Sequence, residues 1–563
     1  MACPVPSPVA IVMADKAIIA QEDEDETDIR REHEMGYEQE LYRGFSPFMS
    51  FAFCFTAVNV FTSISISFTY ALNTGGSAMA VWSWLIGSTF TILVGMSLAE
   101  ICSVYPSAGS VYYWSGQLVS AQNAPLASFI CGWFNFIGNA AANAAMSSGF
   151  ATIVNAALVL DGKESLSIVA QVGISIGITV VWAIQNVFRI DQQGWLNNLA
   201  AVFQITSVIV VVIILLVMTP ERASARDVFT STYNGTGFPF LYMCCIGILS
   251  TLFSLAGYDG NIYWIAYIVT LVLFLNFIAG AHLAEETQHA SRAAPKGIIG
   301  TCIIGAIVGA AYLLALLFAI PNMASFMENN NGDHSAVNLA VATYQLAVPH
   351  RGALALTIIL VLNVYFAGMS SITVTSRIGF AMARDGVFPF SSSLRWIFPP
   401  TKTPLVIITF VVIIDCLLLL LQLASTATFA AIISIATLGF QISYVMPIFF
   451  RCTVARKSFP VGEINLGRFG VPIAIISVVW LFITSIFMFF PAHYPVTRDN
   501  MNYAIVIIGG VASIATIYWI VSARHWFTGP KRTHVDSSSW PPVFIATLDS
   551  KKAMPSCDII LIQ

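Results

Sequence analysis

The feature that most constrains this chain is a series of apolar runs, each near the length that crosses a bilayer. They cover 46–72, 78–101, 124–160, 167–189, 195–218, 237–260, 261–284, 297–320, 353–376, 403–422, 426–450, 469–490 and 503–523. A run of about 20 apolar residues is what a transmembrane helix needs. A span must satisfy its own backbone hydrogen bonds, so runs of this length imply helices. Hydrophobic residues make up 57% of the 563-residue chain and charged residues only 10%, too few charges to cover a soluble surface of that size. The fold class expected is an all-α polytopic membrane protein. The 124–160 run exceeds one upright crossing, so part of it should be tilted or interfacial.

Charge sets the orientation and the count. The first 44 residues are polar, with the acidic run Gln21 to Glu26, and read as a disordered cytoplasmic tail. If 237–284 counts as one crossing, the cytoplasmic connections carry Arg189, Arg292, Lys296, Arg377, Arg384, Arg395, Arg451, Arg456, Lys457, Arg524, Lys531 and Arg532. The opposite side then holds Arg222, Arg226, Arg351 and Arg498, which obeys the positive-inside bias. Two separate crossings would invert everything downstream. The expectation is therefore about 12 spans. A permease domain over 45–530 is flanked by cytoplasmic tails, 1–44 and 531–563.

Several function classes drop out. A net charge of −4 gives no reason to expect a nucleic-acid partner. The cysteines stand singly, mostly in apolar runs, apart from the adjacent Cys244-Cys245, and read as packing residues. The histidines show no metal spacing, and no catalytic triad, phosphate loop or dinucleotide fingerprint is present. Neither enzyme nor cofactor is expected. Asn234-Gly235-Thr236 is a glycosylation sequon on the outer side, but it sits too near the next span for use to be expected.

Four stretches carry a family resemblance. They are Ala99-Glu100-Ile101 through Tyr105-Pro106-Ser107-Ala108-Gly109 to Trp114; Gly257-Tyr258-Asp259-Gly260 with Ala281-His282-Leu283-Ala284-Glu285-Glu286-Thr287 and Ala290 to Gly297; Ser376-Arg377 with Phe380 to Gly386; and His525 to Pro530. Together they resemble permeases of the amino acid–polyamine–organocation superfamily, in the amino acid/choline branch that includes GABA and choline permeases. The likeness runs from about residue 45 to 532. It implies a five-plus-five inverted repeat with broken helices 1 and 6, plus two C-terminal helices.

One departure stands out. Relatives pass from Gly-Tyr-Asp to Ala-His-x-Ala-Glu-Glu-Thr across about two residues, whereas this chain inserts Asn261 to Ala279. Codons for Gly260-Asn261 can contain GTAA and those for Ile278-Ala279 can contain ATAG, the usual intron ends. Residues 261–279 are thus suspected of being a retained intron; the alternative is a real extra span or re-entrant hairpin.

A carrier must hold a polar solute at mid-bilayer, and broken helices expose backbone groups there. Thr62-Ser63-Ile64-Ser65 in the first span and Phe253 to Asp259 in the sixth are the candidates. The bland reading of the hydroxyls is close helix packing. By the resemblance, free N–H groups near Thr62, Ser63 and Ser65 meet a carboxylate. Carbonyls of Phe253, Ser254 and Ala256 then receive an ammonium, with the Phe253 ring closing over it. Gly257 allows the break, and Asp259 binds the amine or holds the break in shape. Relatives usually place glycine where Ser63 stands. Intramembrane charges default to functional hypotheses, so Glu100, Glu285, Glu286, Arg377 and Asp415 are gating or coupling candidates. Glu100, Glu285 and Glu286 are weighed as gating partners of Arg292 or Arg377 against plain interfacial solvation. Asp415 is weighed as a proton relay against an acid hydrogen-bonded to its neighbours. The fifth span offers Asn197, Asn198 and Gln204 and no lysine.

The expected function is secondary active transport of amino acids or amino-acid-like amines such as GABA, proton-coupled, by alternating access. The membrane expected is the plasma membrane, with a vacuolar or other endomembrane as the alternative. Competing readings are a choline or polyamine permease, and a nutrient receptor that keeps the carrier fold without transporting.

Overall fold

In a computed structural model, the structure describes residues 56–257 and 290–530, apart from 57, 106, 108, 189, 331–337, 424–427, 463 and 499, with side chains left out at 190–194 and 290–294. Asp259, Glu285, Glu286, the suspected insertion 261–279 and both tails lie outside the described residues.

Every named element is helical. In chain order they are α1 (Val60–Asn73), α2 (Gly76–Val104), α3 (Ser110–Gln117), α4 (Ala124–Leu160), α5 (Ile168–Gln185), α6 (Ile190–Met218), α7 (Ala225–Thr230), α8 (Phe240–Gly247) and α9 (Leu249–Ser254). After the undescribed stretch come α10 (Ala290–Phe318), α11 (Met323–Asn330), α12 (Leu339–Ala347), α13 (His350–Arg384), α14 (Ser391–Leu394), α15 (Leu405–Leu420), α16 (Thr428–Cys452), α17 (Gly470–Phe487) and α18 (Ala504–Val521). Ten helices among the described residues are long and apolar enough to cross a membrane, and Phe240–Ser254 forms a shorter apolar arm. With α1 and that arm, the spans agree with the twelve expected. The protein is an integral membrane protein. The 124–160 run is one continuous helix of 37 residues, about 55 Å long at 1.5 Å per residue, well beyond a hydrocarbon core of about 30 Å.

Contacts between loops fix the two ends of the bundle. At one end, Gly235 N–H donates to Asn73 O (3.0 Å), Tyr494 N–H to Thr236 O (2.7 Å) and Ala223 N–H to Phe318 O (3.0 Å). At the other, Arg451 pairs with Glu100 (3.5 Å), and the Tyr112 hydroxyl donates to Asp385 Oδ2 (3.0 Å). A Cβ on Gly386 would lie 3.1 Å from Trp526. This second end gathers Arg384, Arg451 and Arg524, the basic residues expected at a cytoplasmic end.

The chain enters α8 from the outer end, where Gly237 packs on Tyr494. It re-emerges in α10 at the inner end. There α2 and α10 run antiparallel, with Gly95 against Cys302 and Ile298, and Gly309 against Trp84. Gly237 and the start of α10 thus lie at opposite ends of the bundle, the arrangement that one net crossing between them would give.

Small residues set the tightest packing. Gly138 of α4 and Gly439 of α16 meet backbone to backbone, because without side chains two helices can approach closely enough for dispersion to hold them together in lipid. Gly368 of α13 receives the buried Trp182 ring of α5.

Candidate substrate site

The first broken span resumes as a helix at Val60, because Asn59 caps it. The Asn59 side chain accepts from Thr62 N–H (3.2 Å), and its carbonyl accepts from Ser63 N–H (3.0 Å) and the Thr62 hydroxyl (2.9 Å). Asparagine is a favoured N-cap for this reason. The loosened stretch is therefore Val58-Asn59, one turn before the hydroxyl patch. Ser63 and Ser65 lie inside the helix, which corrects the expectation of free N–H groups there. The first-turn donors lacking an intrahelical acceptor belong to Val60 and Phe61.

Ser65 is committed elsewhere. Its hydroxyl donates to Phe61 O (2.8 Å) and shares a 2.7 Å bond with the Tyr312 hydroxyl, which shares another of 2.7 Å with Tyr344. Asn338 Nδ2 donates to Ser65 O (3.1 Å). Ser67 bridges α1 to α9 through a 2.7 Å bond with Ser250.

In the sixth span, α9 stops at Ser254. Leu255 N–H bonds back to Thr251 O (3.1 Å) and Ala256 N–H to Phe253 O (3.2 Å). Gly257 then turns out of the helix at φ +82°, a conformation only glycine adopts without strain. The two breaks adjoin: a Cβ on Gly257 would lie 3.5 Å from Val58 and 3.8 Å from the Phe440 ring of α16. A narrow cleft beside them is lined by Leu255, Ala256, Phe440, Gln441, Tyr444 and Trp480.

Three buried polar atoms at these breaks have no hydrogen-bond partner among the described residues: Thr56 Oγ1, Asn59 Nδ2 and Ser254 Oγ. Native structures rarely leave such atoms unmatched. The α1 N-terminus also presents partial positive charge, and the α9 C-terminus partial negative charge.

The remaining candidates lie apart. Glu100 is buried rather than solvated at an interface, and it pairs with Arg451 rather than Arg377. Its Oε1 also accepts Leu466 N–H (3.3 Å), while the Arg451 guanidinium sits 4.0 Å over the Phe459 ring. Arg377, buried in α13, donates to Ser376 Oγ (3.2 Å). Asp415 is fully buried in α15. Thr236 of the sequon is buried, and its hydroxyl donates to Asn234 Oδ1 (2.7 Å).

Comparison with known proteins gives the lineage. The family profile described as amino acid permease matches residues 45–511. The chain belongs to the amino acid permease family. It is similar to the amino-acid permease BAT1 of Arabidopsis thaliana, 33% identical over 513 residues that cover 88% of this chain and 95% of that protein. Its likeness to the BAT1 homolog of Oryza sativa is 34% over 515 residues, covering 89% and 95%. A thiamine transporter, thi9 of Schizosaccharomyces pombe, is 28% identical over 533 residues, covering 91% and 89%. This permease is an amino-acid transporter and not an enzyme.

Sequence reasoning missed Asn59, Phe440, Tyr312, Asn143 and Arg451. Asn59 carried a signal, since it is a capping residue directly before an apolar helical run. Asn135, Asn139 and Asn143, spaced by four, put three amides on one face of α4.

Proposed function

We propose that this permease moves an amino acid or an amino-acid-like amine such as GABA across the plasma membrane, by alternating access and coupled to protons. What carries the reading is the pair of adjoining helix breaks with three buried polar atoms unmatched among the described residues. The carboxylate meets the first-turn N–H groups of Val60 and Phe61 and the Asn59 amide, with Thr62 and Ser63 on the same turn. The amine meets the terminal carbonyls of Phe253, Ser254 and Ala256 under the Phe253 ring, and Asp259 supplies negative charge beyond Gly257. The tails 1–44 and 531–563 are cytoplasmic.

A second reading is a permease for an organic cation such as choline or a polyamine. It draws on the aromatic lining from Phe440, Tyr444 and Trp480 and on the likeness to a thiamine transporter. Uptake of labelled amino acids, GABA and choline by cells expressing the chain, with unlabelled competitors, separates the two. Competition by zwitterions supports the first reading, and competition by choline alone overturns it. Surface expression without uptake of any amine points to a receptor.

A further inference from the structure

Asp415 sits eleven residues into α15, far from either broken span in sequence. It is fully buried. Among the described residues its Oδ2 accepts one bond, from Asn143 Nδ2 of α4 (3.3 Å), and its Oδ1 has no partner. The other end of the same amide is occupied: Asn143 Oδ1 accepts from the Ser371 hydroxyl (2.5 Å) and the Thr375 hydroxyl (3.3 Å) of α13. One turn on, Ser147 donates to Asn143 O (3.1 Å) and shares a 2.7 Å bond with Thr179 of α5. A single carboxyl group is thus tied through the Asn143 amide to α4 and α13, and the Asn143 backbone carbonyl continues the chain through Ser147 to α5.

Among the described residues, no ion pair reaches Asp415. The elements packed on α15 are α4, α5, α13, α14 and the turn after Leu420. Of these, α5, α14 and the turn hold no charged residue, and α4 holds only the thiol of Cys131, bonded to Val111 O and Ser443 O. On α13, His350 and Arg351 lie at the outer terminus and Arg384 at the inner, where it pairs with Asp385 (3.9 Å). Tyr365 bonds Gln185, and Arg377 bonds Ser376. Cys416 is next along α15 itself. An ionised carboxylate at a helix centre in the bilayer is costly to hold without a matched partner. One amide donor does not match its two oxygens.

We propose that Asp415 is the binding site of the coupling proton and that Asn143 transmits its charge state to α4. The proposal rests on the proton-coupled reading above and names the residue for it. Proton binding converts the carboxylate to a neutral acid. Proton loss leaves a charged acceptor whose bond to the Asn143 amide is shorter and stronger. Asn143 lies between the two places where α4 touches the moving parts. Gly149 packs on Ile66 of α1, and Gly138 packs on Gly439 of α16, next to Phe440 at the Gly257 break. A change in the grip on Asn143 therefore acts on a helix that touches α1 directly and reaches the Gly257 break through α16.

The test uses the full chain purified and reconstituted in liposomes, with the chain lacking 261–279 in parallel for transport. In the infrared difference spectrum between acid and alkaline pH, the wild type should show a protonated-carboxyl carbonyl band that Asp415→Asn removes. An unchanged band overturns the assignment. In transport, the loss of pH-gradient-driven accumulation in Asp415→Asn should exceed the loss of substrate exchange. Asp415→Glu should recover gradient-driven accumulation with a displaced pH profile. Equal gradient-driven accumulation in wild type and Asp415→Asn overturns the role of Asp415 alone. A wild type indifferent to the gradient overturns proton coupling itself, and the proposal with it. Loss of exchange and accumulation together in both variants assigns Asp415 to packing and overturns it as well.

Discussion

Gly138 and Gly439 hold α4 and α16 in backbone contact: a Cβ on Gly439 would fall 2.4 Å from the Gly138 Cα. The crossing adjoins Phe440, which faces the break in the sixth span. Gly439→Ala should therefore force the helices apart and lower stability by about 1–3 kcal/mol. Gly510→Ala is the control, since a Cβ there meets nothing within 4 Å. It should be neutral or stabilising by about 0.5–1 kcal/mol. Unfolding of the two detergent-solubilised variants measures the difference, and equal behaviour would show the crossing to be unimportant.

Glu100 and Arg451 join the cytoplasmic ends of α2 and α16, with side chains only 4% and 11% exposed. Removing one partner leaves the other charge buried and unmatched. Glu100→Ala should cost about 3–5 kcal/mol. The double variant Glu100→Ala with Arg451→Met should recover much of it, because no orphaned charge remains. Equilibrium unfolding of wild type, both singles and the double makes the comparison. A double variant as unstable as the sum of the singles would reject a direct pairing.

The spans were legible because bilayer physics leaves a strong one-dimensional signal: apolar length marks a span. The sixth-span break was legible too, through Gly257 among small residues. The first-span break was displaced by a turn. The hydroxyl patch resembled a loosened stretch, yet serines in a membrane helix bond back to carbonyls four residues earlier. Ser65 does this to Phe61 and Ser67 to Ser63, so the patch is stable as helix. The partners of Glu100 and Asp415 were not legible. Each is supplied by a span distant in sequence, and no local pattern encodes which helices adjoin.

The Asn59 side chain does two separable jobs, one by each end of its amide. Its Oδ1 caps α1, while its Nδ2 is buried at the break without a partner among the described residues. Asn59→Asp keeps the cap and replaces the free donor with an acceptor. If that donor meets the substrate carboxylate, the apparent KM should rise about tenfold or more, as a hydrogen bond to a charged group is worth about 1.5–3 kcal/mol. Asn59→Ala should in addition lose about 1 kcal/mol of stability from the missing cap. Uptake kinetics alongside thermal unfolding distinguish the two jobs. An unaltered KM in Asn59→Asp would remove the amide from the site.

The stretch 261–279 follows directly on the sixth-span break, so its presence bears on whether the written chain works. Each helical residue adds about 1.5 Å, and nineteen additional residues beyond Gly257 and Asp259 would carry the second half of the binding span many ångströms out of place. Deleting Asn261 to Ala279 should therefore raise substrate uptake at equal surface expression, and the abundant transcript should lack the segment. Sequencing full-length transcripts and comparing uptake by the two forms checks both. A deletion variant no more active than the full chain, together with transcripts that retain the segment, would make it a genuine part of the sixth span, and the net single crossing would then have to accommodate it.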